Sequence, residues 1–371
     1  GEQAVAGHFR SPSPDHPPWI DFGDGLARDL AGLVGAHADE VTVMNTLTVN
    51  LHLLMVSFYR PAGARRKILI ERGAFPSDRY AVASQIRWHG LDPSDCLVEF
   101  EPEADSRLID ESRLESGLRL HGDEVALVLW PGVQYASGQA FDLPRIAAAG
   151  RAAGAAVGFD LAHSAGNLPL RLHDSGCDFA AWCTYKYLNG GPGAVGACFV
   201  HRRHAPNAEL HAALPRFEGW WGNERGSRFR MEAVFRPAAG AEAWQLSNPP
   251  ILALAPLRAS LDLFRAAGME RLRAKSRALT GWLADTLQRE SGEWLEILSP
   301  ADPERRGCQL SLRVRAGHEA GRALHARLEQ RGVVTDWREP DIIRVAPVPL
   351  YNTYADCAEF LLQVRAWAEG R

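Results

Sequence analysis

Lysine is nearly absent from this chain of 371 residues: of 41 basic side chains only Lys67, Lys186 and Lys275 are lysines. Wherever positive charge alone is needed the sequence uses arginine, so each lysine calls for an explanation. Lys67 follows Arg65 and Arg66, and Lys275 sits in a charged helical run, so both have ordinary solvated roles. Lys186 closes the apolar and aromatic run Phe179-Ala180-Ala181-Trp182-Cys183-Thr184-Tyr185 and precedes Tyr187. A primary amine can form a Schiff base with a carbonyl, and a guanidinium cannot. Other scarcities exclude whole classes. The six cysteines (Cys96, Cys177, Cys183, Cys198, Cys308, Cys357) form no CxxC pair, which excludes a zinc ribbon or a disulfide scaffold and suits reduced thiols in the cytoplasm. His201 and His204 have ligand-like spacing but no neighbouring acid or cysteine, so no metal is expected. No apolar run reaches the roughly 18 residues of a membrane span, and no signal peptide is visible, although the chain opens on Gly1 rather than Met. A net charge of −4 gives no sign of a nucleic-acid or anionic-membrane partner.

What is present suits a large globular protein. With 46% hydrophobic and 23% charged residues the chain can bury an extensive core, and its length suggests about two domains. Residues 1–20 read as an irregular arm, followed by helices expected over 26–34 and 48–59, the second with Thr46 and Thr48 as hydroxyl caps. Apolar β-like runs at 68–70, 96–100, 125–130, 156–159, 179–183 and 197–201 alternate with helical segments, notably 77–89 and 143–153. Such alternation predicts an α/β fold, a mostly parallel sheet covered on both faces. After Ser247-Asn248-Pro249-Pro250 the texture changes. A long helical stretch over 253–289, broken near Gly268, leads into strands at 294–298 and 309–314, a helix at 319–330, a strand at 342–346 and a final helix at 354–368. The expected division is a large domain over 1–250 and a smaller α+β domain over 251–371.

Ligands of open α/β sheets bind beyond the carboxyl ends of the strands. Asp160 ends one such run and is followed by Leu161-Ala162-His163; Lys186 follows the next strand and precedes Asn189-Gly190-Gly191-Pro192-Gly193. Taken alone, Asp160 reads as a turn former. Together with a helix start at Thr46–Thr48 the set matches what pyridoxal 5′-phosphate (PLP) requires: an amine, a carboxylate for the pyridinium nitrogen and a helix N-terminus for the phosphate. The glycines after Lys186 do not form a nucleotide phosphate loop, because the lysine precedes them.

Six segments carry a more specific resemblance. Asn45-Thr46-Leu47-Thr48-Val49-Asn50-Leu51-His52, Ala74-Phe75-Pro76-Ser77-Asp78, Gly158-Phe159-Asp160-Leu161-Ala162-His163, Tyr185-Lys186-Tyr187-Leu188-Asn189, Ser247-Asn248-Pro249-Pro250 and Arg344-Val345-Ala346-Pro347-Val348-Pro349-Leu350-Tyr351-Asn352 resemble, in the same order, segments of kynureninases. The resemblance implies an aspartate aminotransferase-like (fold type I) PLP enzyme, a cytoplasmic homodimer with sites near the subunit interface. It implies hydrolytic cleavage of the Cβ–Cγ bond of L-kynurenine or 3-hydroxy-L-kynurenine to L-alanine and anthranilate or 3-hydroxyanthranilate, a step of tryptophan catabolism and NAD biosynthesis. Leu47 and Thr48 would meet the phosphate, Phe75 would lie against the pyridine ring, and Ser77 and Asp78 would share that loop. Asp160 would hold the pyridinium with His163 close by. Tyr185 would reach the phosphate and relay a proton, and Lys186 would be the Schiff-base lysine. Trp220 and Asn248 would touch cofactor or substrate from another segment, that of the partner subunit included, and Arg344 would grip the substrate carboxylate bidentately.

Each residue also has a plainer role open to it. Phe75 and Trp220 could be core aromatics, Arg344 a surface charge, and Ser77-Asp78 a helix N-cap. His8 and Asn248 match positions where animal-type relatives have polar groups, which leans the preference towards 3-hydroxykynurenine. Two departures stand out. Pro131 replaces a hydroxyl residue that helps bind phosphate in many relatives, and the family's Gly-Asn-Ser-Leu-Gly segment, a possible wall of the substrate pocket, is not in this sequence. Alternatives are another fold-type I enzyme, such as an aminotransferase or a cysteine desulfurase using Cys308, or a non-catalytic PLP-binding protein.

Overall fold

The computed structural model describes residues 6–11, 17–103, 107–205 and 207–370. Of the expected arm over 1–20, positions 1–5 and 12–16 lie outside the described residues. The chain forms two compact units.

The first unit comprises Gly1–Glu101, Glu111–Gly132 and Asp142–Ala266. Its main elements are α1 (Phe22–Val34), β1 (Val41–Val43), α2 (Leu47–Phe58), β2 (Lys67–Glu71), α3 (Pro76–Trp88), β3 (Leu97–Phe100), α4 (Glu111–His121), β4 (Val125–Pro131), α5 (Leu143–Ala152), β5 (Ala156–Asp160), β6 (Phe179–Trp182), β7 (Ala197–Val200) and α6 (Ile251–Ala267). Among the described residues seven strands form one sheet in the order β1-β7-β6-β5-β4-β2-β3. The pairs from β3 to β6 are parallel, while β7 runs antiparallel to both β6 and β1. Strands covered on both faces must be apolar throughout, and β4, β6 and β7 are buried along nearly their whole length. Leu51, Leu54, Met55, Phe58, Ile68, Ile70, Val82, Leu127 and Phe179 belong to one continuous core.

The parallel register sets the strand ends side by side. Pro131 lies opposite Asp160, and Asp160 opposite Ala181. The pairing of β5 with β6 requires glycine at 158, because a Cβ there would stand 2.0 Å from the Phe179 ring. One detail of α2 departs from expectation: Thr46 is the N-cap, but its hydroxyl makes no capping hydrogen bond. Thr48, already in the first turn, turns its hydroxyl sideways to Ser77 Oγ at 2.7 Å instead. The approach to the helix is fixed by Asn50, whose amide donates to Met44 O at 2.9 Å and accepts from Asn45 Nδ2 at 3.0 Å.

The second unit comprises Pro102–Asp110, Val133–Phe141 and Ala267–Arg371. It contains α7 (Met269–Ser291), β8 (Leu295–Ile297), β9 (Leu310–Val314), α8 (His318–Gln330), β10 (Asp336–Arg338), β11 (Ile342–Val345) and α9 (Tyr354–Glu369). Gly268, at φ 78°, separates α7 from α6, as the sequence pattern predicts. The antiparallel sheet β10-β11-β9-β8 packs its apolar residues with Leu279, Leu283, Leu324, Leu328, Phe360 and Val364. Loop residues from earlier in the chain are bonded into this unit. Gln139 exchanges hydrogen bonds with the backbone of Ile109 (2.7 and 2.8 Å), and Gln309 Nε2 donates to Tyr135 O (3.0 Å).

Gly158→Ala is expected to destabilise the protein by about 1–3 kcal/mol through overpacking against Phe179. The check is a urea titration, read as a lower midpoint at an unchanged slope.

Candidate active site

Lys186 leaves the sheet from a turn that is closed on itself. Thr184 Oγ1 donates to Val195 O at 2.6 Å, Gly190 N–H to Thr184 O at 2.8 Å, and Asn189 N–H to Lys186 O at 3.0 Å. From this support Lys186 Nζ reaches to 3.2 Å from His163 Nε2 and 5.7 Å from the centre of the Phe75 ring. The apolar run before it is buried, but Lys186 itself is only half-buried and Tyr185 is 53% exposed, less enclosed than the sequence suggests. The burial ends with the strand, and an amine that must meet a carbonyl has to be reachable.

Three carboxyl groups act on one another here, and the charge of Lys186 reaches one of them, Asp78. Asp160 is held by an Asx turn, its Oδ1 accepting the Ala162 N–H at 2.7 Å. Asp78 lies on the buried face of α3 with Ala81, Val82, Gln85 and Ile86, one helical stripe. Glu71 ends β2 and is almost wholly buried. Burial pushes the Glu71 carboxyl well above its ordinary value, and the charges of Asp160 and Glu99 push it further. Asp78 is also raised well above the usual carboxylate range. Burial is the main cause, then the charge and hydrogen bond of Asp160 and the charge of Glu71, with Lys186 pulling the other way. Buried like charges cannot all ionise, so Glu71 and Asp78 are driven towards the neutral acid. Sequence reasoning missed Glu71, because it reads as the end of an ordinary strand and meets Asp160 only through the sheet. Ser77 and Asp78 are not the cap of α3: Phe75 holds that position and Pro76 opens the helix.

The helix start of α2 completes the set. Its first N–H groups have no side-chain cap, and the hydroxyls of Thr48 and Ser77 stand together beside it. An uncapped helix N-terminus attracts an anion through its free donors and its dipole. A Cβ on Gly196 would lie 3.3 Å from Leu47 N, so glycine there keeps the amide uncrowded. An aldehyde for Lys186, a cationic ring nitrogen for the buried carboxylates and a dianion for α2 are the three ends of PLP, and this donor set fits it.

Of the remaining expected residues, His8, Trp220 and Asn248 belong to the first unit and Arg344 to the second. His8 and Trp220 are linked through an aromatic chain: His8 to Phe9 at 4.5 Å, Phe9 to Phe229 at 5.7 Å and Phe229 to Trp220 at 5.4 Å. Trp220 is 48% exposed and donates its indole N–H to Arg228 O at 2.9 Å, so it is no core aromatic. Asn248 is exposed. Arg344 is on β11 of the second unit, mostly buried, with Nε and Nη2 each 2.6 Å from Asp336 Oδ2 and Nη1 2.9 Å from Tyr135 O. It is therefore not a surface charge. Pro131 sits at the carboxyl end of β4 beside Asp160. His201 and His204 do have acidic partners, contrary to the sequence pattern: His204 Nε2 is 2.8 Å from Asp178 Oδ1, and His201 Nδ1 is 3.6 Å from Glu40 Oε1.

This sheet, with an amine, a carboxylate and a helix start at its strand ends, defines the class of fold-type I PLP-dependent enzymes. Solved structures agree on the fold: a cysteine desulfurase from Thermococcus onnurineus superposes with a TM-score of 0.78 at 16% identity, over 100% of this chain and 91% of that one. The cystine C-S lyase C-DES, in complex with cysteine persulfide, matches with a TM-score of 0.78 at 20% identity over 98% and 92%. Sequence is more specific. A family model described as the kynureninase C-terminal domain matches residues 272–364. Kynureninases of Xanthomonas campestris pv. campestris and Stenotrophomonas maltophilia are each 58% identical over 99% of this chain and 85% of their own length. The chain belongs to the kynureninase family.

The raised carboxyls make stability depend on pH. Folded Glu71 keeps its proton above the ordinary value of 4.5, whereas the unfolded chain has lost it. Stability of the cofactor-free protein therefore falls as pH rises through that window. Glu71→Gln is expected to flatten the fall, which urea midpoints at about pH 5 and about pH 8 will measure.

Proposed function

We propose that this protein is a PLP-dependent hydrolase that cleaves the Cβ–Cγ bond of L-kynurenine or its 3-hydroxy derivative, releasing L-alanine and an anthranilate. The observation that carries the reading is the Lys186 amine held 3.2 Å from His163 beside the carboxylate cluster, in a chain 58% identical to named kynureninases. When bound, PLP supplies an electron sink for negative charge at the substrate carbons.

The residues divide the work. Lys186 carries the cofactor and afterwards moves the proton at the substrate Cα, with His163 as its hydrogen-bonding neighbour. Asp160 pairs with the ring nitrogen, and the nearby carboxyls of Glu71 and Asp78, driven neutral, add little competing charge. Phe75 would lie against the ring, while Leu47, Thr48 and Ser77 would receive the phosphate. Thr48, Ser77 and the α2 amides serve without help from Pro131, which has neither hydroxyl nor N–H. Burial first and the Cys183 thiol second hold the Tyr185 phenol above its ordinary pKa, so Tyr185 keeps its proton. After water has added to the ketone carbon, it would relay a proton, donating to Cβ as the bond to Cγ breaks and taking up the proton that the hydrated carbonyl releases. Arg344, oriented by Asp336 and Tyr135 O, takes the substrate α-carboxylate. The exposed ring chain from His8 to Trp220, with Phe9 61% exposed, suits a homodimer in which these residues and Asn248 face a neighbouring subunit's substrate. Its compartment is the cytoplasm, in keeping with six buried cysteines, and among the described residues no helix is long and apolar enough to cross a membrane. A desulfurase reading is disfavoured, because Cys308 is fully buried and cannot reach a substrate sulfur from a mobile loop.

Lys186→Ala should lower anthranilate release from L-kynurenine by about three orders of magnitude or more. Fluorescence of the product reports it, and unimpaired turnover refutes the assignment. Asn248→Thr should lower the kcat/KM preference for 3-hydroxykynurenine over kynurenine by about tenfold, through loss of a polar partner for the ring hydroxyl. Paired kinetics on the two substrates measure the ratio.

A further inference from the structure

A second group of chemically versatile side chains lies in the first unit, away from Lys186. β7 runs antiparallel to β6 with Val200 opposite Phe179, so His201 emerges where β6 begins, whereas Lys186 follows its end. There Glu40, fully buried between α1 and β1, meets His173 on the single helical turn Leu172–Ser175, 133 residues away. His173 Nδ1 is 2.9 Å from Glu40 Oε1 and 3.1 Å from Oε2. The His37 ring packs on the His173 ring at 4.3 Å, and one ligand atom from each of His37, Glu40 and His173 lies within 4.8 Å of the others.

We propose that His37, Glu40 and His173 form a binding site for a divalent transition-metal ion of the zinc class. Two imidazoles and a carboxylate with one open position are a donor set that zinc accepts. With metal–ligand distances of about 2.1 Å, two donors of one tetrahedral ion stand about 3.4 Å apart, so the Glu40–His173 separation needs to open by only a few tenths of an ångström.

The carboxylate is already oriented. Backbone N–H groups of His37 and Arg202 each donate to it at 2.9 Å, the kind of outer-shell support that fixes a metal-binding carboxylate. Burial alone would raise the Glu40 carboxyl, but these N–H groups and His173 outweigh it and hold it below its ordinary value. A buried anion calls for a cation, and the nearby arginines are engaged elsewhere. Arg202 lies 3.5 Å from Asp39, and Arg203 and His204 bind Asp178. His201 packs on His173 at 4.7 Å, and its Nδ1 accepts the Arg203 N–H at 3.1 Å. The His37 ring is exposed, which leaves a path from solvent to the site.

The experiment uses tag-free PLP-loaded protein, freed of chelator and titrated with Co2+ and then with competing Zn2+. One equivalent of Co2+ per chain is expected, with the visible absorbance of a low-coordinate site, and Zn2+ should displace it. His37→Gln and His173→Gln should each weaken binding by about 10-fold or more while turnover of L-kynurenine is retained. Should His173→Gln fail to fold, His37→Gln, at an exposed ring, decides alone. Absence of a stoichiometric equivalent at about 100 µM metal overturns the proposal. Binding that survives the His37 substitution unchanged overturns it as well.

Discussion

A buried cluster of like charges needs a cation, and in this protein that need organises the site. Glu71 from a strand end, Asp160 from the neighbouring part of the sheet and Asp78 from a helix face lie at the carboxyl edge of the sheet, with Lys186 acting on Asp78 from the next loop. Proton uptake relieves part of the repulsion, and a cationic ring nitrogen relieves more. The fold is arranged around that demand. Parallel strands align the carboxyl-bearing ends, a glycine lets β5 and β6 approach, and an uncapped helix offers the opposite pole for a phosphate.

Much of this was legible in the sequence, for a physical reason. Strands buried on both faces are continuous apolar runs, so β2, β4, β5, β6 and β7 announce themselves, and so does the helix break at Gly268. Other elements carry little signal. β1 is three residues long, β10 is the polar Asp336-Trp337-Arg338 at a sheet edge, and α4 buries few apolar side chains. Their pairing is decided by neighbours that are distant in the chain.

Chemistry followed the same rule. The scarcity of lysine pointed to Lys186, and ordered motifs pointed to its companions; spacing alone could not show that Glu71 stands behind Asp160. Nor could it show that a buried Glu40 meets a histidine far along the chain. Capping depends on tertiary context too: Thr46 has the residue type of a cap but not the hydrogen bond, and Thr48 turns its hydroxyl to Ser77. Residue type sets what a side chain can do, and the tertiary partner selects among those options.

The second unit is stitched from three separate stretches of chain. Arg344 leans on the carbonyl of Tyr135, and Gln309 on that same carbonyl, while Gln139 holds Ile109. A fragment cut at the start of the recognised C-terminal segment would lose all of these supports. Its guanidinium would keep Asp336 as a partner but not its second anchor, leaving its orientation underdetermined. Swapping that segment between relatives thus exchanges only part of a working module, and the two short loops must travel with it.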